Sequence, residues 1–220
     1  RNNEGPQPIA RWTFDKDLKD QIGNIHGKAL GGARINDGAL ELDGKSAYVM
    51  TVPINRNMKA KTLQAWVKLN NLDQRGGAVM SMQSNDAKTF DAIVFGEREP
   101  KRWMAGSEGY SRTQSFGGEE ENRAKDEFTH VAIVYKADGH ITAYRNGKPY
   151  GKTYKSGSVD FSSGNYQVLF GMRHGTKAGS NLMLSGKIDR AQLYDKALTA
   201  EEIAMTSNGN FVSEAELVAR

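Results

Sequence analysis

Phe128-Thr129-His130-Val131-Ala132-Ile133-Val134-Tyr135-Lys136-Ala137-Asp138-Gly139-His140-Ile141-Thr142-Ala143-Tyr144-Arg145-Asn146-Gly147-Lys148-Pro149-Tyr150 is the stretch that decides the fold. Two runs rich in β-branched and aromatic residues flank Asp138-Gly139. Asn146-Gly147 then follows the second run. Both dipeptides supply the positive φ angles of a tight hairpin turn. Two such turns so close together do not fit inside a helix. The stretch reads as a hairpin, with a second turn leading into Lys148-Pro149-Tyr150.

The same punctuation extends in both directions. Upstream, residues 63–69 are apolar on nearly both faces, which predicts a central strand. Ala10, Trp12 and Phe14 alternate with Arg11 and Thr13. Residues 39–42 end at Asp43-Gly44, a hairpin signal that pairs them with residues 48–52. Residues 78–82 and 92–95 add two more strands. Downstream, residues 166–170 and 186–194 close the sheets. Helix is scarce. Thr199 with Glu202 has capping-box spacing, and Ser213 with Glu216 repeats it near the end of the chain. The expectation is all-β, a two-layer antiparallel sandwich with a minor C-terminal helix. Residues 1–8 read as a linker, 9–206 as the sandwich, and 207–220 as a linker and helix opening another domain.

Composition agrees. The 220 residues are 38% hydrophobic and 25% charged, with 24 Gly and 5 Pro, as many short strands and tight turns require. The absence of Cys excludes disulfides and thiolate metal sites. The net charge of +4 is scattered, and the acidic run Glu119-Glu120-Glu121 sits among the cations. A nucleic-acid binder concentrates Lys and Arg on one face, so no nucleic-acid partner is expected. No apolar run approaches the length of a membrane span, so no membrane insertion is expected. The chain opens at Arg1 without Met and without a signal segment, as a piece of a longer protein would. Residues 96–127 are polar and glycine-bearing, yet hold Trp103, Tyr110 and Phe116; they read as a long functional loop.

Several of these segments together resemble a known family. The hairpin at 128–150, the closing run Gly186-Lys187-Ile188-Asp189-Arg190-Ala191-Gln192-Leu193-Tyr194-Asp195-Lys196-Ala197-Leu198-Thr199-Ala200-Glu201-Glu202-Ile203, and the opening Trp12-Thr13-Phe14-Asp15 with residues 38–44 resemble the concanavalin A-like, laminin G-like jelly-roll domains. Residues 144–151 and 170–175 look like the version embedded in large exported planctomycete proteins. There, the resemblance implies, a cytochrome c-like segment and helical domains flank the sandwich. No Cys-x-x-Cys-His is present, so no haem is expected in this chain.

Candidate sites follow from residue chemistry and from this resemblance. Trp103, Tyr110 and Arg112 in the insert, with Trp66 beneath, form a candidate sugar platform: flat rings stack on a pyranose while polar groups hold its hydroxyls. Alternatively these rings pin the loop to the sheet. Arg173-His174-Gly175 follows a strand and sits at a rim, where Arg173 either grips an anion or anchors a turn. Regular alternation places Asp189, Ala191 and Leu193 on one core-directed face. A buried carboxylate needs a partner: backbone donors, an Arg, or a cation. In related jelly rolls a structural Ca²⁺ uses an acid on this strand; the positions matching that pattern are Asp189, Asp43, Gly44 and Thr13. The acids Asp15, Asp17 and Asp20 read as a solvated loop.

Catalysis has little support. Related glycanase sandwiches carry Glu-x-Asp-x-x-Glu on one strand, and Glu41-Leu42-Asp43 matches only its first half. His26, His130, His140 and His174 are isolated in sequence, and His130 reads as structural. The expected function is non-catalytic recognition of carbohydrate or protein within a larger exported protein. The rivals are a spacer docked on flanking domains and a degenerate glycan-cleaving enzyme.

Overall fold

A computed structural model describes residues 5–208. Its strands are β1 (Ala10–Trp12), β2 (Gly27–Leu30), β3 (Arg34–Asn36), β4 (Ala39–Asp43), β5 (Tyr48–Thr51), β6 (Lys61–Leu69), β7 (Ala78–Ser84), β8 (Phe90–Phe95), β9 (Trp103–Ser107), β10 (Thr129–Tyr135), β11 (His140–Arg145), β12 (Lys148–Pro149), β13 (Tyr154–Lys155), β14 (Tyr166–Phe170) and β15 (Ser185–Tyr194). One helix, α1 (Ala200–Ser207), follows. The second helix expected from Ser213 lies outside the described residues.

The strands form two antiparallel sheets. The first runs β12-β11-β10-β6-β15-β4-β3, with β1 added to β15 and β13 to β11; the second runs β2-β5-β14-β7-β8-β9. The deciding hairpin forms as expected. Val131 faces Arg145 and Tyr135 faces Ile141. Asn146 and Gly147 adopt φ of 48° and 81°, the left-handed turn their identities favour. β6 is central, paired with β10 on one side and β15 on the other. The first and last strands meet: Ala10 pairs with Leu193 and Trp12 with Ala191.

The core lies between the sheets. Leu63, Ala65, Val67 and Leu69 of β6 face Ile93, Phe95, Val168 and Phe170 of the opposite layer. Trp12 and Phe14 pack edge-on to Phe170 at 5.0 and 5.3 Å. Each such buried ring contributes roughly 2–3 kcal/mol of transfer free energy. Helix α1 covers part of the outer face of the first sheet, where Ile203 and Leu198 bury Ala132, Val134, Tyr144 and Tyr194. Its capping box is complete: Thr199 Oγ1 accepts from Glu202 N, and Thr199 N donates to Glu202.

Four sequence expectations change. Residues 39–42 and 48–52 do not pair as a hairpin: β4 lies in the first sheet between β3 and β15, and β5 in the second between β2 and β14. Asp20 is not solvated: it is buried and accepts from the amides of Arg11, Ile22 and Ile25. Residues 96–127 are not one loop, because Trp103–Ser107 forms β9 on the edge of the second sheet. It was unreadable because all five residues are buried, so no polar-apolar alternation marks it. Regular alternation also fails at Asp189. The register of β15 on β6 slips between Ile188 and Arg190, and Asp189 is the extra residue of that bulge. Ile188 and Ala191 face the core, while Asp189 is exposed.

Candidate binding pocket on the second sheet

Successive residues of β8 serve opposite faces. Ile93 and Phe95 enter the core, while Phe90, Ala92 and Val94 join Ala78 and Met104 in a separate apolar cluster. The connection after β14 folds over this second face. Gln83 on β7 clamps it, donating to Gly175 O at 3.1 Å and accepting from Gly175 N at 2.9 Å. Arg173 Nη1 donates to Gly76 O at 2.8 Å. His174 lies flat on Phe90, with ring centroids 4.3 Å apart and planes 8° from parallel.

A pocket of about 340 Å³ remains between this connection and the turn after β9. Phe90, Glu97, Glu108, Tyr110, Arg173 and His174 are among its walls. Tyr110 stands 48% exposed, with the Arg98 guanidinium 4.4 Å from its ring centre. Its φ of +57° is left-handed, a conformation a bulky residue adopts only when its surroundings impose it.

Charge in the pocket is unevenly satisfied. Glu108 is held on both oxygens: Oε1 accepts from Arg112 Nη2 (2.6 Å) and Phe90 N (3.1 Å), and Oε2 from Arg112 Nη1 (2.8 Å) and the Ser111 hydroxyl (2.6 Å). Burial would raise its pKa, but the Arg112 bonds outweigh that and lower it. Glu97 is different. Its side chain is 6% exposed, and neither oxygen accepts a hydrogen bond. Arg173 Nε lies 3.3 Å away. Burial raises the Glu97 pKa, with Arg173 and Arg98 opposing. Burial, with Arg173 adding to it, lowers that of His174, and its Nδ1 has no hydrogen-bond partner.

Of the six residues expected to bind ligand, Tyr110, Arg173 and His174 meet in this pocket. Arg112 lies one layer behind it, 6% exposed, and its Nε donates to Asp91 Oδ1 at 3.0 Å. Burial works against its charge, yet Glu108 and Asp91 raise its pKa further. Trp103 is a loop anchor, 1% exposed, with its Nε1 donating to Glu121 at 2.9 Å. Trp66 does not lie beneath the insert. It sits on the outer face of the first sheet, 4.7 Å from the His130 ring and beside Arg190. Trp103 was grouped with Tyr110 by nearness in the chain and Trp66 was set beneath them as a strand residue; neither step takes account of which sheet and which face each strand presents. Phe90, Glu97 and Glu108 were missed, because Glu97-Arg98-Glu99 reads as a solvated charge string.

The four positions matched to a metal pattern are spread along β15. Asp43 pairs with Ser185, and a Cβ on Gly44 would lie 2.8 Å from that of Ser185. Asp189 sits four residues on, roughly 13 Å at strand rise. Asp43 Oδ1 accepts from the amides of Lys45, Ser46 and Ala47, each at 2.9 Å. Burial opposes these bonds, but together they pull its pKa down to about 2. Although Asp189 is exposed, partial desolvation by its neighbours raises its pKa, with Arg190 opposing and Asp15 adding to it. Thr13 lies in the loop after β1. Among the described residues no three His, Asp or Glu side chains are grouped as a metal site. A depression of about 290 Å³ over β3, β4 and β15 has no aromatic wall, and its Glu41 is paired with Arg34 at 3.0 Å.

Two stacked antiparallel sheets, closed by a last strand beside the first, define a jelly-roll sandwich of the lectin and glucanase type. Residues 43–204 match the family described as the concanavalin A-like lectin/glucanases superfamily (Laminin_G_3), and the chain belongs to it. No curated protein sequence matches the chain. Among solved structures it is similar to domain 4 of AbnA, an extracellular GH43 arabinanase from Geobacillus stearothermophilus, in complex with arabinotriose. The TM-score is 0.65 at 20% identity, covering 92% of this chain and 98% of that one. It is similar to a Trypanosoma rangeli sialidase (TM-score 0.67, 12% identity, 94% of this chain and 35% of that one). It is also similar to the binding domain of botulinum neurotoxin serotype D (TM-score 0.61, 16% identity, 92% and 52%). At these identities the likeness is one of fold. Among the described residues no helix is long and apolar enough to cross a membrane.

Proposed function

We propose that the chain is a non-catalytic carbohydrate-recognition domain of a larger exported protein, binding through the pocket beside Tyr110. The carrying observation is that Tyr110 is held half-exposed at the rim by a left-handed backbone. The other walls combine the Phe90–His174 stack with polar groups. An exposed ring offers an apolar face to a sugar, and the polar groups orient it. The arabinotriose bound to the arabinanase domain supports the same ligand class.

The non-catalytic reading rests on the carboxylates. Glycosidic cleavage usually needs two of them, one on each side of the scissile bond. Both oxygens of Glu108 are taken up by Arg112, Ser111 and the Phe90 amide, which leaves Glu97 alone. Glu41 is bonded to Arg34 and Asn36, away from this pocket. The planctomycete-type setting belongs to this reading as its context.

A glycan array followed by calorimetric titration tests the proposal. Binding of at least one oligosaccharide, weakened by Tyr110→Ala, is expected. No binding to any glycan class at millimolar protein would overturn it.

A further inference from the structure

We propose that the pocket beside Tyr110 takes acidic sugars, with Lys88 and Arg98 holding the ligand's carboxylates. The inference deepens the carbohydrate reading and rests on it. Lys88 lines the pocket from the turn before β8. Arg98 stands at the rim in the turn after β8, its guanidinium 4.4 Å from the Tyr110 ring centre. Both residues are exposed, and among the described residues neither is within ion-pair distance of a carboxylate. Asp86, two positions before Lys88, instead accepts from the Ser84 hydroxyl and the Lys88 amide. The acids of the pocket wall are turned away from a ligand. Glu108 gives both oxygens to Arg112, Ser111 and the Phe90 amide. The Glu97 oxygens are closed off from solvent, and Arg173 Nε lies 3.3 Å away to offset their charge. What faces solvent is therefore an aromatic ring with a cation against it and a second cation across the pocket. An Arg fork takes a carboxylate through two parallel N–H bonds, and a Lys takes one as a point charge. The two cations enter from opposite ends of β8, so an oligomer with a carboxylate on every unit meets both.

The test is titration of the wild-type domain at pH 7 with oligogalacturonate, with its methyl ester, with arabinotriose and with polyglutamate. The methyl ester keeps the sugar skeleton and removes the charge; polyglutamate keeps the charge and removes the sugar. Oligogalacturonate is expected to bind at least about tenfold more tightly than each of the other three. Lys88→Gln with Arg98→Gln is expected to weaken oligogalacturonate binding by about tenfold or more while leaving arabinotriose binding within about twofold. Both side chains are exposed, so the double variant is expected to melt cooperatively. If it does not, the wild-type comparison alone decides. A methyl ester or arabinotriose bound as tightly as the acid would overturn the inference and leave the carbohydrate reading standing. So would an unchanged affinity in the folded double variant. Polyglutamate bound as tightly as oligogalacturonate would overturn the inference by showing charge attraction without sugar recognition. Binding of no glycan at all would remove the carbohydrate reading and this inference with it.

Discussion

Lys61 Nζ and Asp91 Oδ2 lie 2.7 Å apart in the interior of the sandwich, each side chain 1% exposed. Lys61 comes from β6 of one sheet and Asp91 from β8 of the other, so the pair ties the two layers through the core. The Lys61 ammonium also lies 4.4 Å from the Tyr135 ring centre and 5.1 Å from that of Phe161. Asp91 spends its other oxygen on Arg112, which in turn holds Glu108 at the pocket wall. A structural ion pair and the candidate site are thus one connected network.

Removing one member strands a buried charge. Asp91→Ala is expected to lose about 3–5 kcal/mol of stability, measured by urea unfolding. Replacing both partners, as Lys61→Met with Asp91→Leu, is expected to lose less than Asp91→Ala alone, because no unpaired ammonium remains. Equal losses would mean the pair is not coupled as described.

Tyr110 is a half-exposed surface group whose ring packs against the Arg98 guanidinium, 4.4 Å away. Tyr110→Ala is expected to change stability by no more than about 1 kcal/mol. The same change should weaken glycan binding about tenfold, through loss of the ring. Thermal denaturation and titration calorimetry read the two effects separately.

His130 sits buried against Gln64, with Nε2 2.6 Å from Gln64 Oε1. Burial lowers its pKa from 6.5 to about 4. Between those values the unfolded chain takes up a proton that the folded chain refuses. Stability is therefore expected to fall as pH drops from about 6.5 to 4, by on the order of 3 kcal/mol. Burial of His174 acts in the same direction. His130→Gln should flatten most of this arm in denaturant titrations. A variant with the wild-type slope would refute the assignment.

Glu121 anchors the segment that crosses from β9 to β10. Arg145 holds both of its oxygens, at 2.7 and 2.9 Å, and Trp103 donates to one of them. Burial opposes ionisation, but the Arg145 and Trp103 bonds lower its pKa from 4.5 to about 2. Its contribution is present above about pH 4.5 and disappears as pH falls through 2. Glu121→Ala should cost about 2–3 kcal/mol and expose residues 108–127 to limited proteolysis.

Because Asp43 is bonded to three turn amides, chelation should leave the domain intact. The expected melting temperature is the same with EDTA as with excess calcium. A clear drop in EDTA would establish a structural ion.

Much of the fold was legible because strand signals are local. Asp138-Gly139 and Asn146-Gly147 mark turns by backbone tolerance alone, and residues 63–69 show burial on both faces by composition alone. Thr199 and Glu202 lie within one helical turn, so their capping box needs no tertiary context. β2, β3, β9 and β13 were missed because their strand state is conferred by neighbours: Gly27–Leu30 is held by β5, Tyr154–Lys155 by β11, and Trp103–Ser107 is covered on both faces.

The candidate site was legible only in part, for the same reason. Tyr110, Arg173 and His174 could be singled out by residue type, yet their meeting depends on how the connection after β14 folds over β8. Asp189 shows the limit most plainly, since one bulged residue reverses the face that regular alternation assigns. Local chemistry in the chain determined the turns, the strand-rich class and the capped helix, because each depends on residues a few positions apart. Which rings are exposed, which carboxylate lacks a donor and which face Asp189 presents were decided by tertiary structure. Those properties depend on packing between segments far apart in the chain, which alternation and turn chemistry do not encode.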